Sequence, residues 1–510
     1  MNLKGKSGAA ATVLGAVFGL GLFCSGCGEY FRPVANPVPQ PGGDPQRTAH
    51  ALVVSSNGSN LGTAVVIDVS GDTNVGTFTV GRKPVHAASF AGADYVVNRD
   101  DNSVATFTLL GVGNPPTLIG LPGPPPADAT PASPVFVAPA GGKLFVAEPG
   151  LNEVADISVA SNTVSTHIPV GKNPVALVAT PDGTKLYCLN KEDGTVSVIF
   201  PTIDTVVKII PVGASPVWGA VSSDGGRVFV LNQGSNTVPG TVSVIDTATD
   251  MVVNTFGVGA GSKYIIYQAS QNRVYVASPG ANSQCGAVQF PCLYVFENNT
   301  GTITPVSLAG VPCNGQHPIA VTALADGTRA YVADDVTNSV CVLNTTSNTF
   351  TKRICLVQDP ANSTDPCVGS ATPVFIASDS DSTRVYTANQ FQAGPFNIQS
   401  ISRADGVVTV TTNGGVPFEA GHPITIAGVS DFTYNGVFGI TAVNASHTQF
   451  TYVQTGFPDS SLAGTGTATV LPYVSLIRTS DGTTVKTTSG GAIPLTIPAG
   501  GMPTFIAMTP

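Results

Sequence analysis

Side chains that could stack on a flat ligand recur at one position of a repeated segment. Each segment starts with proline or an equivalent residue, continues as a short apolar strand, and returns about every 40 to 50 residues, with one double interval. The side chain two places after each start is aromatic or imidazole in six of eight segments. Aromatic faces stack on sugars and peptide side chains, and an imidazole can serve as a base. The eight positions are His86, Phe136, Ala176, Trp218, Tyr264, Ala320, Phe375 and Phe505.

Two interpretations of this row remain open. The bulky members are either contacts for a ligand or wedges that fill the space between neighbouring repeats. Trp218, the only tryptophan of the chain, is the residue predicted to contact a ligand first. The predicted ligand contacts as a set are His86, Phe136, Trp218, Tyr264, Phe375 and Phe505.

The elements that must position these residues are short antiparallel strands. The unit from Pro174 to Gly213 contains four apolar or alternating stretches separated by turn residues, such as the Asp182-Gly183 pair. Glycine supplies the positive φ that tight hairpins require. Four short strands in each unit of this length are typical of a propeller blade. The sequence therefore predicts an all-β protein, a β-propeller in which the first strand of every blade lines a central channel.

The repeat count also predicts how the ring closes. The first unit begins with a second strand at Ala51, and its missing first strand is found at the far end of the chain, from Pro503 to Met508. A blade shared by the two termini would remove exposed edge strands. Counting this way gives eight blades, and seven remain possible because the unit between residues 260 and 310 is degenerate.

The strand motifs resemble a known family. A Tyr-Val-x-Asn-type second strand recurs, for example at Tyr95-Val-Val-Asn98, and Val-Ser-Val-Ile-Asp-Thr-x-Thr occurs at residues 242–249. These motifs resemble the YVTN-type β-propeller repeats of surface-layer-like and lactonase-like bacterial proteins. The resemblance covers about residues 48–400 and 471–510 and implies the propeller fold, but it implies no particular activity.

One blade is interrupted by a segment without repeat character. Pro373 and Pro503 are separated by far more than one unit, and residues 402–470 carry four short strand patterns linked by turns such as Asn435-Gly436. We predict a small β-barrel or sandwich module at 402–470, inserted into a propeller formed by residues 48–401 and 471–510.

The N-terminus reads as a targeting segment. Lys4 and Lys6 precede an apolar run that ends in Cys24-Ser25-Gly26-Cys27, and this end resembles a bacterial lipobox. The resemblance implies a signal peptide at 1–26 and a lipid attached to Cys27, whereas an ordinary secretory signal is the alternative. Residues 27–47 are rich in proline and predict an extended tether. The expected location is the cell envelope, with the lipid anchor in a membrane, which we expect to be the outer membrane.

Cysteines cluster in one third of the chain, which is compatible with disulfides in an exported protein. Cys285 and Cys292 flank a short loop and are predicted to pair. Cys313, Cys341, Cys355 and Cys367 allow three connectivities that the sequence does not rank. Cys188 lies in the middle of a strand and is expected to be a buried free thiol.

Composition and motif content narrow the function. A formal net charge of −9 argues against nucleic acid as a partner, because that partner requires a basic surface. The sequence has no HExxH, GxSxG, phosphate-loop or CxxCH motif, so no cofactor and no metal site are expected. Acidic pairs such as Asp100-Asp101, Asp334-Asp335 and Asp379-x-Asp381 could bind Ca²⁺ weakly, or could be solvated turns.

Two classes of function remain. The first is a lipid-anchored, non-enzymatic binding or scaffold protein whose loops and insert recognise a protein or a glycan. The alternative is a lactonase-like hydrolase with its site at the channel mouth, where His86 would be the base. Comparing lactone turnover by the wild type and His86→Ala would separate the two classes.

Overall fold

The chain folds into an eight-bladed propeller with an extra barrel. The structure, a computed structural model, describes residues 50–69, 73–108, 115–121, 131–234, 238–280, 291–356, 367, 371–415, 420, 422–484, 492–494 and 502–509. Strands are numbered in chain order from the first described residue. Blades 1 to 4 contain β1 (His50–Asn57), β2 (Asn60–Asp68), β3 (Thr73–Arg82), β4 (Pro84–Phe90), β5 (Ala93–Asn98), β6 (Ser103–Phe107), β7 (Thr117–Gly120), β8 (Phe136–Ala140), β9 (Lys143–Glu148), β10 (Glu153–Ser158), β11 (Thr163–Pro169), β12 (Pro174–Ala179), β13 (Leu186–Asn190), β14 (Thr195–Phe200) and β15 (Thr205–Pro211).

The later blades follow the same pattern up to the insertion. Blades 5 to 7 and the first half of blade 8 contain β16 (Pro216–Val221), β17 (Arg227–Asn232), β18 (Thr241–Asp246), β19 (Met251–Gly257), β20 (Tyr264–Gln268), β21 (Arg273–Ser278), β22 (Cys292–Glu297), β23 (Ile303–Ser307), β24 (Pro318–Ala323), β25 (Arg329–Asp334), β26 (Ser339–Asn344), β27 (Thr349–Cys355), β28 (Pro373–Ser378) and β29 (Arg384–Asn389).

The extra module lies between the two halves of blade 8 and is a closed barrel. Its strands are β30 (Ala393–Ala404), β31 (Val407–Thr412), β32 (Pro423–Ala427), β33 (Gly436–Val443), β34 (Gln449–Val453), β35 (Ser460–Ala463) and β36 (Thr467–Val470). Six of them pair in the circuit β31-β34-β33-β32-β36-β30 and back to β31, and β35 adds to β30. The four strands predicted in the insert are present as β31 to β34. The first strand of the barrel begins at Ala393, before residue 402, where the sequence pattern indicates the start of the module.

The end of the chain completes the propeller. It contributes β37 (Tyr473–Arg478), β38 (Thr483–Thr484) and β39 (Ala492–Pro494) to blade 8, and β40 (Met502–Thr509) to blade 1. β40 pairs antiparallel with β1, so the blade shared by the two termini is confirmed, as is the count of eight. The innermost strands contact their neighbours around the whole ring, which closes through β28, β40 and β4.

The repeated second-strand motif has a physical explanation. Its aromatic residue is buried between neighbouring blades, as with Tyr187 and Phe229, which are fully buried. The Asn at its end holds the next hairpin: the Asn190 amide donates to Thr195 Oγ1 at 3.1 Å and to Ser197 Oγ at 2.9 Å. Buried polar groups need such partners because an unpaired donor costs about 1–3 kcal/mol. The motif therefore combines packing between blades with a bond inside each blade.

Two disulfides lie in the region where the cysteines cluster. Cys313 pairs with Cys341 at a Cα–Cα distance of 5.4 Å, and Cys355 pairs with Cys367 at 4.8 Å. Both distances lie in the ordinary disulfide range. This is one of the three connectivities that the sequence left open, and Cys188 is a buried free thiol as predicted. The predicted pair of Cys285 with Cys292 falls partly outside the described residues, because Cys285 is not among them.

The described residues contain no α-helix, and their one helical element is a 3₁₀ turn at Phe432–Tyr434. Accordingly, no helix in this part of the chain is long and apolar enough to cross a membrane. The predicted lipid site Cys27, the signal peptide at 1–26 and the tether at 27–47 lie outside the described residues.

Candidate functional site

The predicted row of side chains occupies one level of the channel. In every blade, the predicted residue on the first strand pairs with a residue on the second strand, and a polar residue follows that partner directly. His86 pairs with Val97, and Trp218 pairs with Leu231. The degenerate blade 6 keeps this register, because Tyr264 pairs with Ala277. Equal register in eight blades places the eight side chains at the same height around the axis.

Six of these side chains form a closed circuit of ring contacts, which we name the axial layer. Successive ring centroids lie 3.7 to 5.3 Å apart, within or close to the usual range for aromatic pairs. Contacts across the axis, such as 6.1 Å from His86 to Trp218, show that the rings fill the channel. The circuit runs through His86, Phe136, Trp218, Tyr264, Phe375 and Phe505 and returns to His86.

The two alanines of the row explain how the circuit closes. Ala176 lies between Phe136 and Trp218 around the ring, and Ala320 lies between Tyr264 and Phe375. Because alanine occupies little space, the neighbours on each side reach one another at 5.3 Å and 5.0 Å. The row therefore packs as six rings rather than as eight separate wedges.

Exposure divides the axial layer into two halves. His86, Phe375 and Phe505 are buried, whereas Phe136, Trp218 and Tyr264 are partly exposed. Tyr264 keeps part of its surface exposed, but its hydroxyl lies deep enough for burial to raise its pKa. The three partly exposed rings are neighbours in the circuit, so the exposed part of the axial layer is continuous.

His86 is poorly suited to act as a base. Burial lowers the pKa of its imidazole from 6.5 to about 3. Its Nδ1 accepts a hydrogen bond from the Val137 backbone amide at 3.4 Å, and its ring stacks on Phe136 at 3.7 Å between centroids. A general base works best with a pKa near the operating pH and with access to the substrate's proton. His86 therefore serves as a neutral ring of the axial layer.

The axial layer and the barrel lie toward the same face of the propeller. First strands begin, and second strands end, at one face, as the pairing of Pro84 with Asn98 shows. The barrel leaves blade 8 after Asn389, which pairs with both Pro373 and Tyr473 at that face. Gln390 then donates from Nε2 to the Pro503 carbonyl at 2.7 Å, two residues before Phe505. We call this side the insert face.

A buried arginine links two segments of the barrel. The Arg403 guanidinium stacks over the Tyr434 ring at 4.2 Å and donates to Gln454 Oε1 at 2.7 Å.

His422 is buried near the junction with the propeller, between Phe391 and Tyr473, and burial lowers its pKa to about 3. Phe432, on the 3₁₀ turn, is by contrast 80 % exposed. It offers an apolar contact on the module surface.

One member of each acidic pair singled out in the sequence is bonded to protein donors. Asp101 accepts from the Arg82 backbone amide at 2.5 Å and pairs with the Arg82 guanidinium. Desolvation favours the protonated carboxyl, but these two contacts outweigh it and lower the pKa of Asp101. Asp334 accepts from the amides of Gln316 and His317, both at 2.6 Å. Asp379 accepts from the Thr383 amide at 2.8 Å. Turn and loop bonding therefore occupies these side chains.

One group of a partly buried serine, a buried aspartate and a buried histidine has the wrong order for nucleophilic catalysis. His50 Nε2 lies 3.1 Å from Asp94 Oδ2, and the Ser89 hydroxyl donates to Asp94. In a catalytic triad the serine bonds to the histidine, which removes its proton. Here the aspartate lies between the two other groups, so this arrangement joins blade 1 to blade 2.

A group that the sequence reasoning missed lies in blade 3. Glu148 ends β9, Glu153 begins β10, and His167 lies on β11, with His167 Nδ1 2.9 Å from Glu148 Oε2 and 3.5 Å from Glu153 Oε2. Burial raises the pKa of Glu148 to about 7 even though His167 opposes the shift. The available signal was Phe145-Val-Ala-Glu148, a repeat strand in which glutamate replaces the usual asparagine. We name these three residues the blade 3 cluster.

Comparisons with known proteins add little beyond the architecture. No family model matches the chain, and no curated protein matches it. Among solved structures, it is similar to Kuenenia stuttgartiensis hydrazine synthase, with a TM-score of 0.46, 16% identity, and coverage of 60% of this chain and 92% of that one. It is also similar to a virginiamycin B lyase from Staphylococcus aureus, with a TM-score of 0.41, 13% identity, and coverage of 60% of this chain and 91% of that one. A 6-phosphogluconolactonase candidate from Bacteroides fragilis is similar with a TM-score of 0.45, 16% identity, and coverage of 61% of this chain and 97% of that one. These low scores carry no argument about activity.

Proposed function

We propose that this protein is an exported, lipid-anchored propeller of the YVTN type that binds a partner at the bacterial cell envelope without catalysing a reaction. The observation that carries the proposal is the axial layer. Phe136, Trp218 and Tyr264 are neighbouring, partly exposed rings in the layer that fills the channel. Rigid aromatic rings give large contact area at low entropic cost, which suits them to recognition.

The barrel supports the same proposal. The barrel begins and ends at the insert face. Just before its first strand, Gln390 forms a hydrogen bond to β40, the strand that contains Phe505. A rigid module next to an aromatic surface would enlarge the area that a protein or glycan can contact. Binding residues commonly lie on loops and insertions that a rigid scaffold positions.

The predicted anchor is the second part of the proposal. Acylation of Cys27 would tie the propeller to a membrane, and the proline-rich residues 27–47 would hold it away from the bilayer. Metabolic labelling with a fatty-acid analogue tests this part. The label should attach to the wild type and should be absent from Cys27→Ser.

The hydrolase is the alternative that the geometry disfavours. His86 would be its base, but this imidazole is buried, accepts a bond from the backbone, and has a pKa of about 3. We expect no turnover in a lactone panel, with the wild type and His86→Ala indistinguishable. Turnover by the wild type that His86→Ala abolishes would establish the hydrolase instead.

Binding of oligosaccharides and peptides by the full chain, measured by calorimetry, tests the main proposal. Trp218→Leu should weaken the identified interaction at least about 30-fold, because a central tryptophan commonly contributes about 2 kcal/mol or more. Phe350→Leu is the matched control, since Phe350 is a partly buried aromatic on β27, the outermost strand of blade 7. If binding survives Trp218→Leu and fails in Phe432→Ser, the barrel alone recognises the ligand and the axial layer does not.

A further inference from the structure

The blade 3 cluster brings three metal-ligating side chains to one face of a blade. Glu148 and Glu153 are directly paired across the β9–β10 hairpin, and His167 pairs with Ala155, two residues beyond Glu153. Residues paired across strands, or two apart along one strand, point to the same side of a sheet. Ala155, which lies on that side opposite His167, has a short and fully buried side chain. One potential ligand atom from each residue lies within 4.8 Å of the others.

Four of the other blades have asparagine at this position, whereas blade 7 has Asp334, which accepts from the backbone amides of Gln316 and His317. Asn98, Asn190, Asn232 and Asn389 occupy the position of Glu148, and each donates its amide to a hydroxyl on the third strand. In blade 4, Asn190, Thr195 and Ile209 occupy the three positions that Glu148, Glu153 and His167 take in blade 3. A neutral hydrogen-bonded set has thus been replaced by two carboxylates and an imidazole.

Without a cation, the protein supplies too little positive charge and too few hydrogen-bond donors for these two carboxylates. The Glu148 side chain is fully buried, and its Oε1 atom is buried without a hydrogen-bond partner. Like charges directly opposite each other in a sheet are destabilising, and a buried carboxylate needs a cation or donors to stabilise it. His167 Nδ1 can donate one proton, although two carboxylates face it at 2.9 and 3.5 Å.

We propose that the blade 3 cluster is a binding site for one divalent cation of the zinc class, held by Glu148, Glu153 and His167 Nδ1, with water completing the coordination. Ligand atoms about 2.1 Å from tetrahedral zinc lie about 3.4 Å apart, so the two separations from His167 Nδ1, 2.9 and 3.5 Å, need little adjustment. An imidazole together with carboxylates favours zinc and similar transition metals over Ca²⁺ or Mg²⁺, which prefer oxygen ligands alone. The Glu153 and His167 side chains are 31% and 27% exposed, so the remaining position is open to solvent.

Calorimetric titration of zinc into the full chain tests the site. The chain is purified without a polyhistidine tag, treated with EDTA and desalted before the titration. We expect one zinc ion per chain, and we expect His167→Gln and Glu153→Gln each to weaken binding on the order of 100-fold, at least the loss seen when a supporting group is removed. Both side chains are partly exposed, so both variants should fold. Calcium should bind much more weakly than zinc.

A matched control and a second readout complete the test. His317 forms a comparable imidazole–carboxylate contact with Asp335 at 2.7 Å, but only one carboxylate takes part and the pair is more exposed. His317→Gln should bind zinc like the wild type. Zinc should also raise the melting temperature of the wild type and of His317→Gln, but not that of His167→Gln. Absence of zinc binding at millimolar concentration, retention of full affinity in His167→Gln, or equal affinity for calcium would each overturn the proposal.

Discussion

The axial layer and the blade 3 cluster treat a histidine in opposite ways. At the axis, His86 lies among five aromatic rings, and its one polar contact with the described residues is with the Val137 backbone amide. In blade 3, His167 faces two carboxylates, one of them fully buried. Both histidines lie where a blade departs from the repeat, but only His167 lies beside negatively charged side chains.

The difference teaches how environment decides what a side chain can do. Rings around His86 remove water and stabilise the neutral imidazole, so the residue contributes shape and apolar area. Carboxylates around His167 create a demand for positive charge that the protein meets only in part. The two proposals, ligand stacking at the axis and cation binding in blade 3, follow from this difference.

The comparison predicts its largest effect when the buried charge is moved to blade 4. Asn190→Glu places a carboxylate in the position of Glu148, without a second carboxylate or an imidazole beside it. We expect the free energy of unfolding to fall by about 4 kcal/mol, the typical cost of an uncompensated buried charge. Urea denaturation at neutral pH measures this loss, with Asn190→Gln as the uncharged control. A loss below about 1 kcal/mol would show that this position tolerates a carboxylate without a cation.

A second prediction concerns acid stability at the axis. The folded pKa of His86, about 3, lies below its unfolded value of 6.5, so unfolding takes up a proton. Acid therefore favours the unfolded chain between these values, and His86 should account for about 3 kcal/mol of the stability lost by pH 4. His86→Phe should reduce the acid-induced loss by that amount, measured by urea denaturation at pH 7 and pH 4. Phe350→Leu, on the outermost strand of blade 7, should leave the pH dependence unchanged, and an unchanged loss in His86→Phe would contradict this account.

A smaller effect is expected when blade 3 is given the residues of blade 4. Glu148→Asn combined with Glu153→Thr removes the facing carboxylates and restores the amide-to-hydroxyl bond of the repeat. In EDTA, we expect the double variant to be about 1 kcal/mol more stable than the wild type, because cross-strand like charges cost up to this amount. Thermal and urea denaturation both measure it. A less stable double variant would mean that the carboxylates do not repel each other in the metal-free protein.

The smallest effect should come from the exposed pair in blade 7. His317→Gln removes the contact with Asp335, but partly exposed ion pairs contribute only about 0–1 kcal/mol. We expect a change below about 0.5 kcal/mol by urea denaturation. A change as large as that of Asn190→Glu would remove the distinction between surface and buried charge on which the comparison depends.

The fold was largely predictable because a propeller repeats its requirements in every blade. The position two places after each strand start identified all members of the axial layer, including Tyr264, whose segment lacks the proline. The contacts between those rings were not predictable, since they depend on Ala176 and Ala320 being small at two points around the ring. Spacing along a chain carries no information about contact across an axis.

The barrel boundary and the blade 3 cluster show where sequence reasoning failed. β30 begins at Ala393 with a Gly-Pro pair, which ordinarily signals a turn, so its early half was not recognised as a strand. The cluster depends on the register that places His167 opposite Ala155, and that register includes a bulge in the pairing of β10 with β11. A glutamate in place of the repeat's asparagine was visible, but its partner on the fourth strand was not.

Fluorescence of Trp218 in the full chain tests the central claim most directly, because this is the only tryptophan. The emission should be quenched by acrylamide before ligand is added, and one class among oligosaccharides, peptides and lactones should shift the emission and protect it from quenching. That result would place ligand binding at the axial layer. A blue-shifted emission that acrylamide does not quench and no ligand class changes would contradict the account, since the six rings would then serve only to pack the channel.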